Sequence, residues 1–178
     1  MTDAHSVRRL KHLDIIICIL LVLGMFFSLF LIFLHFSPSP KICNISESFD
    51  CDIVNKGPYA NIDGISYLLT MDLGLSLPII NPSKIHWSLD LLTSNSFLGL
   101  LTLLLLAALF YAKKKGMDFI FIKNRIIIYW IKGILIFSII YSFYLFFVQA
   151  FILKTYCIFC ITLEIIFLLL FILMVKFK

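Results

Sequence analysis

Four long apolar runs dominate the chain, at residues 15–36, 96–112, 126–148 and 155–175. Together they hold only two charged residues, Lys132 and Glu164. A helix that crosses a bilayer needs roughly 17–25 such residues, because every backbone polar group in hydrocarbon must be satisfied within the helix itself. With 62% hydrophobic residues, 19 of them Phe, and a mean hydropathy of +1.06, a soluble domain of this length has no interior large enough to hide its apolar surface. The expectation is an all-α integral membrane protein, a bundle of four transmembrane helices. The first run is too long, and lacks the small-residue cleavage site, to be a signal peptide.

Charge gives the orientation. Arg8, Arg9 and Lys11 precede the first run. Lys113, Lys114, Lys115, Lys123 and Arg125 lie between the second and third, and Lys176 and Lys178 come after the fourth. With four crossings these three places share one side, the cytoplasmic one by the positive-inside rule. Residues 1–13 then form a basic cytoplasmic lead to a single membrane domain, 14–178. Residues 37–95 form a loop on the opposite, extracytoplasmic side, and both termini are cytoplasmic. The net charge of +5 is thus a topology signal and not a nucleic-acid one.

That opposite side carries the chemistry. Cys157 and Cys160 form a C-x-x-C pair where the last run begins. Two thiols at a helix N-terminus can close a disulfide across one turn, and the positive end of the helix dipole favours the nucleophilic thiolate. Half of a metal site is the structural alternative, but the ligand set is thin for zinc and an oxidising side favours disulfides. Cys43 and Cys51 lie in the polar segment after the first helix. They read either as a staple for a short loop or as a shuttle dithiol exchanging with Cys157 and Cys160. Cys18, inside the first run, reads as a small packed hydrophobe.

Glu164 comes four residues after Cys160 and seven after Cys157, so a helix puts all three on one face, with the carboxyl roughly 6 Å beyond Cys160. An acid facing lipid is costly, so Glu164 belongs in the bundle interior. Its carboxyl can give or take a proton beside the thiols, or be a structural group bonded to Ser138, Tyr141 or Ser142. Asn95, at the start of the second run, either caps that helix or presents an amide at the mouth of the bundle. Residues 64–81 are apolar but broken by Asp72, Gly74 and Pro78, and fit a lid on the membrane face better than a fifth crossing. His35 and His86 have no partner histidine nearby that would make a haem or metal site. Gln149 marks the outer end of the third run.

This arrangement resembles the vitamin K epoxide reductase family. The resemblance rests on the four apolar runs, the loop pair Cys43 and Cys51, the Cys157–Cys160 pair opening the last helix, Ser94-Asn95-Ser96 with Gly99 at the start of the second, and the Cys-Ile-x-Cys-Ile-Thr stretch at 157–162. It covers about residues 14–175. The resemblance implies that Cys160 faces a quinone, that Cys157 receives electrons from Cys51, and that Cys43–Cys51 exchanges with outside thiols. It implies that Asn95 hydrogen-bonds a quinone oxygen. Family members acting on vitamin K epoxide carry a tyrosine where this chain has Glu164, which makes Glu164 the candidate second quinone contact. Lys56-Gly57 stands where the family often has a serine. Many bacterial members carry a fused thioredoxin-like domain, so with the chain ending at Lys178 the expected partner is a separate thioredoxin-fold dithiol protein.

Three functions fit these features. The first is a quinone-dependent thiol–disulfide oxidoreductase that generates disulfides, with ubiquinone or a menaquinone of the vitamin K type as cofactor. The second is a reductase of vitamin K quinone or its epoxide. The third, of another class, is a membrane scaffold or transporter subunit with structural disulfides. A bacterial inner membrane is the expected location. Asn44-Ile-Ser46 is a glycosylation sequon with meaning only in an endoplasmic reticulum.

Overall fold

The computed structural model describes residues 4–37, 49–72, 74, 86–119 and 122–176. Among the described residues seven α-helices form: α1 Ala4–Phe36, α2 Cys51–Lys56, α3 Gly64–Tyr67, α4 Trp87–Thr93, α5 Asn95–Lys115, α6 Asn124–Phe147 and α7 Ile158–Lys176. α3 runs on as a π-helical turn, Leu68–Asp72, and α6 as another, Val148–Leu153. The described residues pair as strands only in isolated bridges.

Four segments are long and apolar enough to span a membrane: His12–Phe36, Asn95–Lys115, Asn124–Leu153 and Ile158–Val175. They match the four runs of the sequence, with two differences at the ends. α1 begins at Ala4, so most of the basic lead is helical. The last span begins at Ile158, three residues after Thr155, because the backbone there turns out of α6 before α7 can start.

Each long helix packs on two neighbours, in the cyclic order α1, α5, α6, α7. The interior is built from Leu21, Leu31 and Leu34 of α1, Leu103 and Leu106 of α5, Ile127, Ile131 and Leu135 of α6, and Ile166 and Leu170 of α7. Phe26, Phe33, Tyr129, Ile140 and Phe143 are exposed, as a lipid-facing surface requires. Lipid tails are as apolar as these side chains, so close packing rather than water exclusion holds such helices together. Gly24 is where α1 comes closest to its neighbours: a Cβ there would lie 2.9 Å from Leu103 Cδ1 and 3.4 Å from Ile166 Cγ2.

The two ends of the bundle differ. At one, Lys114 Nζ pairs with Asp14 at 2.9 Å, and Gly116, in the left-handed region at φ 70°, ends α5. At the other, short elements cover the helix ends. Asn55 of α2 donates to Leu31 O at 2.7 Å and accepts from Ser96 Oγ at 3.0 Å, tying α2 to α1 and α5. His35 binds the Asn55 carbonyl through Nδ1 and Asp90 of α4 through Nε2, the latter at 3.2 Å. His86 caps α4, accepting from Ser88 N at 3.3 Å. Of the expected lid at 64–81, α3 and its π-helical turn are present, and most of the remainder lies outside the described residues.

Candidate functional site

The dithiol is positioned by the irregular exit from α6. After the turn Val148–Leu153, Lys154 takes a left-handed conformation at φ 51° and reverses the chain. Gln149, 2% exposed, organises the backbone on the far side of that reversal. Its carbonyl accepts from Thr155 N at 3.2 Å, and its side-chain Oε1 accepts from Cys157 N at 2.9 Å. Cys157 then acts as the cap of α7: its carbonyl accepts from Ile161 N at 3.0 Å and its sulfur from Cys160 N at 3.2 Å. The helix N-terminus read from the sequence is therefore present, with Cys157 just before it and Cys160 in its first turn.

The loop cysteine reaches the same place through a backbone pairing. Phe49 bridges to Tyr156 in parallel, Asp50 N donates to Tyr156 O at 3.2 Å, and the Phe49 and Tyr156 rings lie 5.9 Å apart. Asp50 then caps α2, accepting from Asp52 N at 2.8 Å and Ile53 N at 3.2 Å. Cys51 opens α2, two residues beyond the pairing, and Cys157 sits one residue past its partner. Both belong to one buried cluster, at 2% and 0% exposure. Cys51 is in a disulfide, whereas Cys18, Cys157 and Cys160 are free thiols. Cys43 lies outside the described residues. Cys18 is exposed on the outer face of α1, so it is not the packed residue expected.

Next to the dithiol is a cavity of about 440 Å³ between the helices. That volume lies within the roughly 300–1,000 Å³ of small-molecule sites. Its walls are apolar, from Leu31, Val54, Leu98, Phe137, Leu145, Val148, Leu163 and Phe167. Its polar groups come from Cys160, Glu164 and Gln149 together with Asn55, Tyr59, Asn95, Ser96, Thr102, Ser138, Tyr141 and Ser142. Cys160 and Glu164 share this lining, as the helical spacing predicts. Cys157 is not part of it, because it sits in the cap and its sulfur turns back to Cys160 N.

Two expected details change. Ser94, not Asn95, caps α5, accepting from Phe97 N at 3.3 Å. Asn95 is thereby free to enter the cavity, where Nδ2 donates to Tyr59 O at 2.8 Å and Oδ1 accepts from Tyr141 OH at 2.6 Å. Its position is fixed by the antiparallel bridge of Asn61 with Ser94, in which Asn95 N donates to Ala60 O at 2.9 Å. Glu164 meets none of the expected hydroxyls: Ser138 bonds the Ile134 carbonyl of its own helix at 2.9 Å, and Tyr141 is taken by Asn95. Its partner is Gln149, whose Nε2 donates to Glu164 Oε1 at 3.4 Å. Gln149, an amide at the end of an apolar run, was the one sequence signal of this contact. Nothing local indicates that Asn55 and Tyr141 reach the same cavity.

Four long apolar helices, a C-x-x-C pair where the last of them begins, and an apolar cavity reached by Cys160 make up the fold and candidate site of this membrane protein. The chain belongs to the Vitamin K epoxide reductase family, whose model matches residues 15–175. Family membership implies a quinone-linked disulfide oxidoreductase or a vitamin K reductase. No curated protein matches the chain.

Proposed function

We propose that the protein oxidises the dithiol of a thioredoxin-fold partner and passes the electrons to a membrane quinone. The observation that carries this reading is the shared cavity of Cys160, Glu164 and Asn95. In the scheme, Cys43 is the disulfide partner of Cys51, as the family resemblance implies. Cys51 is too buried for a protein to attack, so the partner's thiolate meets Cys43. Once Cys43–Cys51 is reduced, the Cys51 thiolate attacks Cys157 of an oxidised Cys157–Cys160 pair and releases the Cys160 thiolate. Cys43 then resolves the Cys51–Cys157 disulfide. Finally Cys157 and Cys160 close their own disulfide and release two electrons and two protons to the quinone, which leaves as quinol.

The cavity suits such a molecule. Its apolar walls accept a ring and the start of a tail. Asn95 can donate its second amide hydrogen to one oxygen, and Glu164 stands beside Cys160 to hand on a proton. We place the basic end in the cytoplasm and the cysteine end on the opposite, oxidising side, in a bacterial inner membrane. There a lipid-soluble quinone and a water-soluble dithiol can both arrive.

The test is turnover of purified protein in lipid with a reduced thioredoxin-fold dithiol and a soluble quinone. Cys160→Ala abolishes it, and Glu164→Gln lowers it roughly tenfold to a hundredfold, the usual contribution of a positioned acid being at least that large. No turnover with any quinone, from folded wild type with its disulfide intact, would favour a scaffold. A second reading, reduction of vitamin K quinone or its epoxide, draws on the phenol that Tyr141 brings to the cavity from α6. Consumption of the epoxide by the same preparation decides for it.

A further inference from the structure

We propose that Gln149 is a positioning residue that holds the dithiol backbone and the Glu164 carboxyl in one register and so fixes which carboxyl oxygen carries the proton. This rests on the proposed quinone reaction at the same cavity.

The orientation of the amide is not arbitrary. Backbone N–H groups can only donate, so the atom of Gln149 facing Cys157 N at 2.9 Å must be its oxygen. The nitrogen therefore faces Glu164, and Oε1 of that carboxyl must accept, at 3.4 Å. A proton on Glu164 is thereby directed to Oε2, the oxygen not engaged by Gln149. Glu164 lines the cavity together with Cys160, so a proton it holds is available to a bound substrate. The amide is itself immobilised: Gln149 is 2% exposed, and the π-helical turn with the left-handed Lys154 brings its carbonyl onto Thr155 N at 3.2 Å. One side chain thus spans from the backbone of one redox cysteine to the acid beside the other. Any displacement of the Cys157 loop is felt at Glu164 through a single amide.

Two substitutions separate the two contacts. Gln149→Glu keeps an acceptor for Cys157 N and replaces the fixed amide donor to Glu164 by a second carboxyl, which donates only when it holds the proton the pair shares. Gln149→Leu removes both and leaves the Cys157 amide without its acceptor. Two readouts apply: steady-state turnover, and the infrared carbonyl-stretch band of Glu164, assigned by its absence in Glu164→Gln. The expected result for Gln149→Glu is a loss in kcat of about tenfold, with KM for the quinone little changed. The Glu164 band shifts as well. In the Glu164→Gln background the same substitution costs nothing further. An unshifted band, or a kcat loss that adds in full to that of Glu164→Gln, would overturn the proposal. If Gln149→Leu does not fold, the Gln149→Glu data decide alone. The infrared band is read without turnover, so failure of the quinone assay in wild type sinks the proposed reaction while the contact is still tested.

Discussion

At the scale of single residues, the site depends on amides as much as on thiols. Asn95 has one amide hydrogen on Tyr59 O and its oxygen on Tyr141 OH, which leaves its second hydrogen for a ligand. Tyr141→Phe removes the donor that fixes this orientation. It is expected to raise the quinone KM about five- to tenfold, from a net hydrogen bond of about 1 kcal/mol, with kcat less affected. Steady-state kinetics in wild-type and Asn95→Ala backgrounds check this, since the effect should vanish in the second. That Cys160 and Glu164 share one lining was legible in the sequence because it follows from their spacing on one helix. Tyr141 and Gln149 were not, because each acts on a residue far along the chain. No local pattern encodes that a tyrosine at 141 meets an asparagine at 95. The expectation that Glu164 would find a hydroxyl failed for the same reason: the π-helical turn after Phe147 brings Gln149 to it instead.

At the scale of elements, the four spans were readable because lipid leaves a chain no other way to satisfy its backbone. Where they end was less so. The start of α7 moved to Ile158 because a buried side chain, Gln149, supplies the acceptor for Cys157 N, a contact with no sequence signature. α2 was hidden because six residues carry no usable periodicity. Its cap, Asp50, lies beside a cysteine that draws attention first. Packing between elements is tested at Gly24. Gly24→Leu forces atoms into Leu103 and Ile166 and should destabilise by about 1–3 kcal/mol, read as a lower Tm in detergent. Gly133→Ala meets nothing within 4 Å, so its melting point should hold or rise slightly, Ala being the better helix former. A similar fall for both would mean that α1 does not pack as described.

At the scale of the whole molecule, the bundle separates two jobs along its length. In the proposed scheme the basic end, with Lys114 on Asp14, faces the cytoplasm, and the cysteine end carries out the redox chemistry. If the basic end is cytoplasmic, a cysteine placed at Lys123 in a chain otherwise lacking cysteines is labelled by an impermeant maleimide only from the cytoplasmic side, and one at Pro58 only from the other. The central claim is that Cys157 and Cys160 hand their electrons to a quinone bound beside them. Its most direct test is a single turnover: fully reduced protein is mixed anaerobically with less than one equivalent of quinone, and each cysteine is then alkylated and counted by mass spectrometry. The account predicts two thiols lost for each quinone reduced, and both of them from Cys157 and Cys160 when exchange with the loop pair is prevented by Cys51→Ala. Quinone reduced by the Cys51→Ala protein while Cys157 and Cys160 both remain alkylatable would contradict it.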